Sequence, residues 1–178
     1  MKRLWTFVTI FIFTALHCYA QEIKETDKFL TVSDRYEQLY KNVGTNNNGD
    51  YGQGVYSIYV KLYFEVPKNK EDGDLRLLLA VSENVIGKKK KLSFTKIGFT
   101  FDNGHKTELF DYEQKRFLET VGSDEYIFDV TPLIVLLQNQ NIVSLQYDGY
   151  SAKGTFYVSD KYLLRRQIET IKKPFKSN

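Results

Sequence analysis

The feature that most constrains this chain is an eleven-residue alternation from Tyr56 to Val66. Tyr56, Ile58, Val60, Leu62, Phe64 and Val66 are separated one by one by Ser57, Tyr59, Lys61, Tyr63 and Glu65. Successive side chains of a strand point to opposite faces, so a period of two over this length specifies a long strand with one face in a core. Pro67 ends it, since proline cannot donate to a sheet ladder.

Further strands follow the same logic. Leu75 to Val81 is more continuously apolar and is expected to be central, and Leu92 to Phe101 supplies another long strand. Asp102-Asn103-Gly104 is a turn, because Asn and Gly accept positive φ, and Thr107 to Tyr112 can return as its hairpin partner. Phe29–Val32, Tyr126–Val130, Ile142–Tyr147 and Thr155–Val158 are shorter strands. Three brief helices are expected. Ser33 or Asp34 can cap the first, which runs to about Asn42 with Tyr36, Leu39, Tyr40 and Val43 at helical spacing. Thr131 as N-cap and Pro132 as first residue start the second, and Ser159 caps the third, from Asp160 to about Lys172. Residues 44–54 are a loop by composition. Roughly six to eight strands without βαβ alternation give a mainly β fold with short helices. The expectation is an antiparallel β-sandwich or open barrel, with a helix at the C-terminus.

The first twenty residues have a different character. Lys2 and Arg3 precede an apolar run from Leu4 to Leu16, and Cys18-Tyr19-Ala20 offers small residues where a signal peptidase reads. Residues 1–20 are therefore expected to be a secretory signal peptide. Residues 21–178 would be a single β-rich domain, with 21–28 as a flexible N-terminal tether. The apolar run is shorter than the about 20 residues a spanning helix needs, so no transmembrane anchor is expected in the mature chain. The alternative is a lipoprotein anchored through Cys18, against which the bulky His17 stands directly before the cysteine. Cys18 is the only cysteine, so cleavage after Ala20 leaves no disulfide and the core alone must hold the domain. The abundance of Lys, Asn, Tyr and Phe suits a low-GC bacterial genome, which makes the expected compartment the periplasm or cell surface.

Several function classes are disfavoured. A net charge of +3, lowered further by loss of Lys2 and Arg3, is far from the basic excess of a polyanion binder, so nucleic acid is not expected as a partner. Asn46-Asn47-Asn48-Gly49-Asp50 fails the EF-hand pattern, because the first and twelfth positions fall on Gly44 and Val55. Neither a metal site nor a cofactor is expected. Lys88 to Lys91 forms a charge run between strands, read as a solvated turn that also discourages edge pairing.

The candidates for catalysis are His105, in the Asp102–Lys106 turn, and the pair Asp111 and Glu113. Two carboxylates about 5 to 9.5 Å apart are what glycoside hydrolysis requires, and residues two apart on one strand face can approach that spacing. Each has a bland reading as a solvated turn or surface charge. For ligand binding, Tyr147, Tyr150 and Tyr157 cluster around one hairpin. Tyr59 and Tyr63 share the second face of the long strand, which is either a contact surface or covered by another element. Trp5 belongs to the signal, so Tyr must do the stacking that sugar-binding platforms usually assign to Trp.

Phe128-Asp129 before a helix, then Ile142 to Tyr147, a Gly-containing turn, Thr155 to Val158 and a closing helix with Leu163-Leu164, is an arrangement that resembles small exported sandwich domains of bacteria. No site or activity comes with that resemblance. The sequence thus points to an exported, non-enzymatic binding or interaction domain of the bacterial envelope, with a protein or envelope glycan as partner. A carboxylate-based hydrolase and a structural subunit of an envelope assembly are the alternatives.

Overall fold

The structure is a computed structural model that describes residues 22–44, 54–87, 91–111 and 125–172. These residues form two antiparallel sheets and short helices, with no closed barrel. The larger, six-stranded sheet contains β1 (Glu22–Glu25), β2 (Phe29–Ser33), β3 (Glu37–Gly44), β4 (Gly54–Pro67), β5 (Arg76–Gly87) and β8 (Glu125–Asp129). The smaller, four-stranded sheet runs β10 (Lys153–Tyr157), β9 (Ile142–Gly149), β6 (Phe94–Phe101) and β7 (Phe110–Asp111). Two α-helices accompany them, α1 (Ile134–Asn139) and α2 (Leu163–Lys172).

The alternation in β4 sets the core. Ile58, Val60 and Leu62 are fully buried, as are Leu77, Leu79 and Val81 of β5, which lies between β4 and β8 as its apolar run from Leu77 to Val81 predicts. Ile97, Phe99 and Leu145 of the smaller sheet meet them in one cluster. Each such side chain contributes about 1.5 to 3 kcal/mol of burial free energy, which is how a chain without disulfides holds its fold. The amphipathic α2 adds Leu163, Leu164, Ile168 and Ile171 to the same cluster. Asp160 leads into it: Asp160 Oδ1 accepts the Tyr162 N–H at 2.9 Å and its carbonyl accepts the Leu163 N–H at 3.2 Å. The helix thus begins at Leu163 rather than at Asp160, and Asp160 rather than Ser159 holds the turn before it.

The expected helix from residue 33 to about 42 is instead β2 ending at Ser33, a short crossing, and β3. The physical reason is a β-bulge. The β3–β4 register shifts between Gln38 and Tyr40, leaving Leu39 as the extra residue, and Leu39 is buried to 1% exposure. A bulge turns two consecutive residues toward one side, so Leu39 and the half-buried Tyr40 imitate helical spacing. Long-range pairing with β4 outweighs the local pattern.

Residues 22–25, expected within a tether, form β1, paired with β2 from Glu22↔Ser33 to Glu25↔Leu30. The strand contributes no buried side chain and is held by its ladder and by ion pairs, Lys68–Glu25 at 2.6 Å and Lys61–Glu22 at 3.8 Å. Thr131 does not act as an N-cap side chain. Its hydroxyl donates to Asp129 Oδ1 at 2.6 Å and accepts the Leu77 N–H at 2.9 Å, tying a 3-10 turn (Thr131–Leu133) to β5 ahead of α1. The Asp102–Gly104 turn forms as expected, with Gly104 at φ 83° and the Gly104 N–H bonded to the Phe101 carbonyl at 2.9 Å. The returning strand is shorter than expected: one bridge at Lys106, then the two residues of β7.

Candidate functional site

Three places gather the residues that could carry function: the outer face of the larger sheet, one end of the core, and the outer face of the smaller sheet.

On the larger sheet the outward phase of β4 holds Tyr59, Lys61 and Tyr63. Tyr63 is only 4% exposed and packs with Leu78, Ala80 and Ile127, so this side of the sheet is covered at Tyr63; Tyr59 is half-buried. Part of the cover is a polar cluster. Both the Tyr36 and the Tyr63 hydroxyls donate to Glu125 Oε1, the latter at 3.1 Å, and the Lys61 ammonium lies 4.8 Å from the Tyr36 ring centre and 5.0 Å from that of Tyr63. Desolvation raises the Glu125 carboxyl above its ordinary pKa and lowers that of Lys61. Glu22, hydrogen-bonded to Lys24, is held below the usual carboxylate value. Two cation–π contacts and two phenol bonds to one carboxylate oxygen tie this cluster together beside the apolar patch that Tyr63 shares. Lys61 and Tyr63 were legible as same-face neighbours, whereas Tyr36 and Glu125 arrive from distant segments.

At one end of the core Glu83 stands in the inward phase of β5, 7% exposed. Its two carboxylate oxygens accept the backbone N–H groups of Leu92 and Ser93, each at 2.9 Å, and burial raises its pKa. Tyr56, Phe94, Tyr126, Tyr147 and Phe156 surround this end. Phe156 stacks on Tyr147 at 4.5 Å and 16°, and Phe94 meets Tyr147 edge-on at 5.8 Å and 89°. Tyr147 is therefore part of the packing, its hydroxyl laid over Gly154, where an added Cβ would come within 2.7 Å of it. Ser93, at φ 52°, carries the one positive φ at a non-glycine among the described residues, and Glu83 pins it. A charge within an otherwise apolar phase, Leu77-Leu79-Val81-Glu83-Val85, is the sequence signal that marks this anchor.

The smaller sheet presents a polar outer face. Its cross-strand rows are Lys96–Asp148–Lys153, Gly98–Gln146–Thr155 and Thr100–Ser144–Tyr157. Gln146 Nε2 donates to Thr100 Oγ1 at 2.6 Å and to Ser144 Oγ at 2.9 Å. At the β6 side the face is covered, since a Cβ at Gly98 would meet Leu109 Cδ2 at 3.0 Å and the Glu108 carbonyl at 3.2 Å. Over β10 it is open: Thr155 is exposed and Tyr157 is 75% exposed. Tyr150, in the β9–β10 turn, is 87% exposed, its N–H bonded to the Ser93 carbonyl at 3.2 Å. The hairpin trio thus divides, with Tyr147 inward and Tyr150 and Tyr157 outward.

Of the catalytic candidates, His105 and Asp111 fall among the described residues. His105 is an exposed turn residue whose N–H donates to Asn103 Oδ1 at 2.9 Å, with its ring 6.1 Å from that of Phe101. Asp111 has a side chain 79% exposed and pairs with Lys96 at 3.3 Å. Glu113 lies outside the described residues, as do Lys88 to Lys90 and residues 45–53. Among the described residues no group of three or more His, Cys, Asp or Glu side chains is arranged to hold a metal ion, and no helix is long and apolar enough to cross a membrane.

Comparison with protein-family models, curated proteins and solved structures gives no match.

Proposed function

We propose that this chain is an exported, non-enzymatic binding domain of the bacterial envelope, and that its ligand is a glycan lying on the outer face of the smaller sheet. The observation that carries this reading is Tyr157, 75% exposed on a strand whose open face otherwise offers hydroxyls, an amide and an ion pair. Aromatic faces take the apolar side of a sugar ring, while hydroxyl and amide groups take its rim, so an exposed phenol beside Thr155 and Gln146 supplies both halves of that chemistry. Tyr150, more exposed still at the end of the same hairpin, extends the platform.

The outer cluster of the larger sheet supports a binding role less well, because its phenols, carboxylate and ammonium already engage one another. The signal-like residues 1–20 motivate the envelope assignment. Intact mass of the chain from its native envelope tests it, with Gln21 or a lipidated Cys18 expected as the first residue. Titration of the full chain by calorimetry with a panel of soluble envelope glycans tests the ligand. A saturable heat weakened at least tenfold by Tyr157→Ala, with the fold intact by circular dichroism, is the expected result. Heats that are absent across the panel, or unchanged in that variant, overturn it.

A further inference from the structure

The open edge of the smaller sheet has a property independent of any ligand. β10 is the terminal strand of that sheet among the described residues, and its pairing with β9 runs from Lys153↔Asp148 to Tyr157↔Ser144 without a register shift. The Gly149 N–H bonds to the Ala152 carbonyl at 3.0 Å and the Val158 N–H to the Val143 carbonyl at 3.1 Å. These fix the phase of the ladder. Residues 154 and 156 exchange bonds with β9, so the N–H and C=O groups of Lys153, Thr155 and Tyr157 point away from the sheet. Lys153, Thr155 and Tyr157 are all exposed.

Such an edge is a template for another strand unless something guards it. β10 contains no proline and no bulge, in contrast to β6, whose pairing with β9 shifts twice. The one charge on it, Lys153, is drawn back over its own sheet by Asp148 at 2.8 Å. The sequence of the edge is also complementary to itself. Laid antiparallel on a second copy about a two-fold axis at Thr155, the outward-pointing residues pair as Lys153 with Tyr157, Thr155 with Thr155 and Tyr157 with Lys153. Facing Thr pairs are favourable in sheets, and a Lys ammonium beside a Tyr ring adds a cation–π contact on each side of the axis. On the inner side the same register sets Phe156 of each copy opposite Gly154 of the other.

We propose that β10 is a homodimer edge: two chains join β10 to β10 in this register and form one continuous eight-stranded sheet. The symmetry is closed, because the same edge is used by both copies and no further strand can add there. The outer faces stay open and bring the two Tyr157 side chains onto one surface, so any ligand of that face would be held twice. The dimer does not depend on what that ligand is.

The test uses the full chain carrying Cys18→Ser, so that no native thiol remains. Sedimentation of this chain is expected to give the mass of two chains, and Thr155→Pro the mass of one. The proline removes only an outward N–H and leaves the bonds to β9, so the variant should keep a β-rich circular dichroism spectrum. Thr155→Cys decides the register independently. Facing Cα atoms in a hydrogen-bonded pair lie about 5.5 Å apart, within disulfide reach, so mild oxidation should link this variant into a dimer and leave Ser159→Cys unlinked. A wild-type mass of one chain throughout the micromolar range overturns the proposal. So does a dimer that survives Thr155→Pro, or equal cross-linking of the two cysteine variants.

Discussion

Gln167 occupies, beside Leu62, the place of a missing strand residue. One edge of β4 pairs with β3 up to Val60 and with β2 from Tyr63, and between those partners that edge has no neighbouring strand. The fully buried Gln167 side chain of α2 fills the gap: its Oε1 accepts the Leu62 N–H at 3.1 Å, and its Nε2 donates to the Arg35 carbonyl at 3.1 Å and the Val60 carbonyl at 3.3 Å. The carboxamide suits this position because it carries an acceptor and two donors on one rigid group.

Gln167→Leu keeps nearly the same volume and removes all three bonds. A buried backbone group left without a partner costs about 1 to 3 kcal/mol, so the expected loss is about 3 kcal/mol. Urea unfolding should show a lower midpoint with an unchanged slope. A midpoint within error of wild type would mean that the gap in β4 closes by itself.

The gap also explains what could be read from the residues and what could not. β4, the Asp102–Gly104 turn and the apolar face of α2 depend on neighbours within a few positions, and their periodicity carries over directly into the fold. β3 depends on a partner well along the chain, Val60 opposite Glu37, while β1 pairs with the next strand, Glu25 opposite Leu30, without any apolar alternation of its own. No local pattern encodes such pairing, and the bulge at Leu39 actively disguises it.

Gly149 and Gly154 lie on neighbouring strands, and substitution should separate them. A Cβ at Gly149 would come within 2.4 Å of the Leu92 carbonyl oxygen, which is backbone already fixed by Glu83 and by the Ser151 hydroxyl at 3.3 Å. The atoms nearest a Cβ at Gly154 are the hydroxyl and adjoining ring carbons of the Tyr147 side chain. Gly149→Ala should therefore cost about 2 to 3 kcal/mol, the upper part of the overpacking range, and Gly154→Ala about 1 kcal/mol or less. Thermal unfolding of the two variants side by side checks the order, and the reverse order would mean that the turn at residues 91–93 yields more easily than Tyr147 does.

Glu83 is the anchor of that turn. Glu83→Leu removes a costly buried carboxylate but strands the N–H groups of Leu92 and Ser93, and the second effect should win by about 1 to 3 kcal/mol. Hydrogen exchange offers the sharper readout. The Leu92 and Ser93 amides should be protected in the wild type and lose most of that protection in the variant, while those of Phe99 and Leu145 keep theirs. Equal protection in both proteins would show that the carboxylate is not what holds the turn.

The candidate site was legible only in part, for a related reason. Tyr150 and Tyr157 stand out in a hairpin and emerge exposed, whereas Tyr147 in the same hairpin turns inward because its strand phase faces Phe156. Glu125 could not be singled out from the sequence at all: its partners Tyr36 and Tyr63 come from a crossing and from β4, and only the sheet brings them together.

That convergence gives a pH dependence with a definite sign. Burial, opposed by the weaker field of Lys24, raises the Glu125 carboxyl above its ordinary value of 4.5. The folded state thus binds this proton more tightly than the unfolded chain does. Linkage then requires that the contribution be fully present below the unfolded value and be lost as pH rises through the raised folded value. Glu125→Gln keeps an Oε1 acceptor for both phenols and cannot ionise. Its stability relative to wild type should therefore grow as pH rises from about 4.5 towards neutrality and level off once Glu125 is ionised in both states. Urea midpoints of the two proteins across that interval measure the difference. A difference that shrinks with rising pH would mean that the ionised carboxylate, bonded by Tyr36 and Tyr63, is the form the fold prefers, and that the phenols outweigh the desolvation they impose.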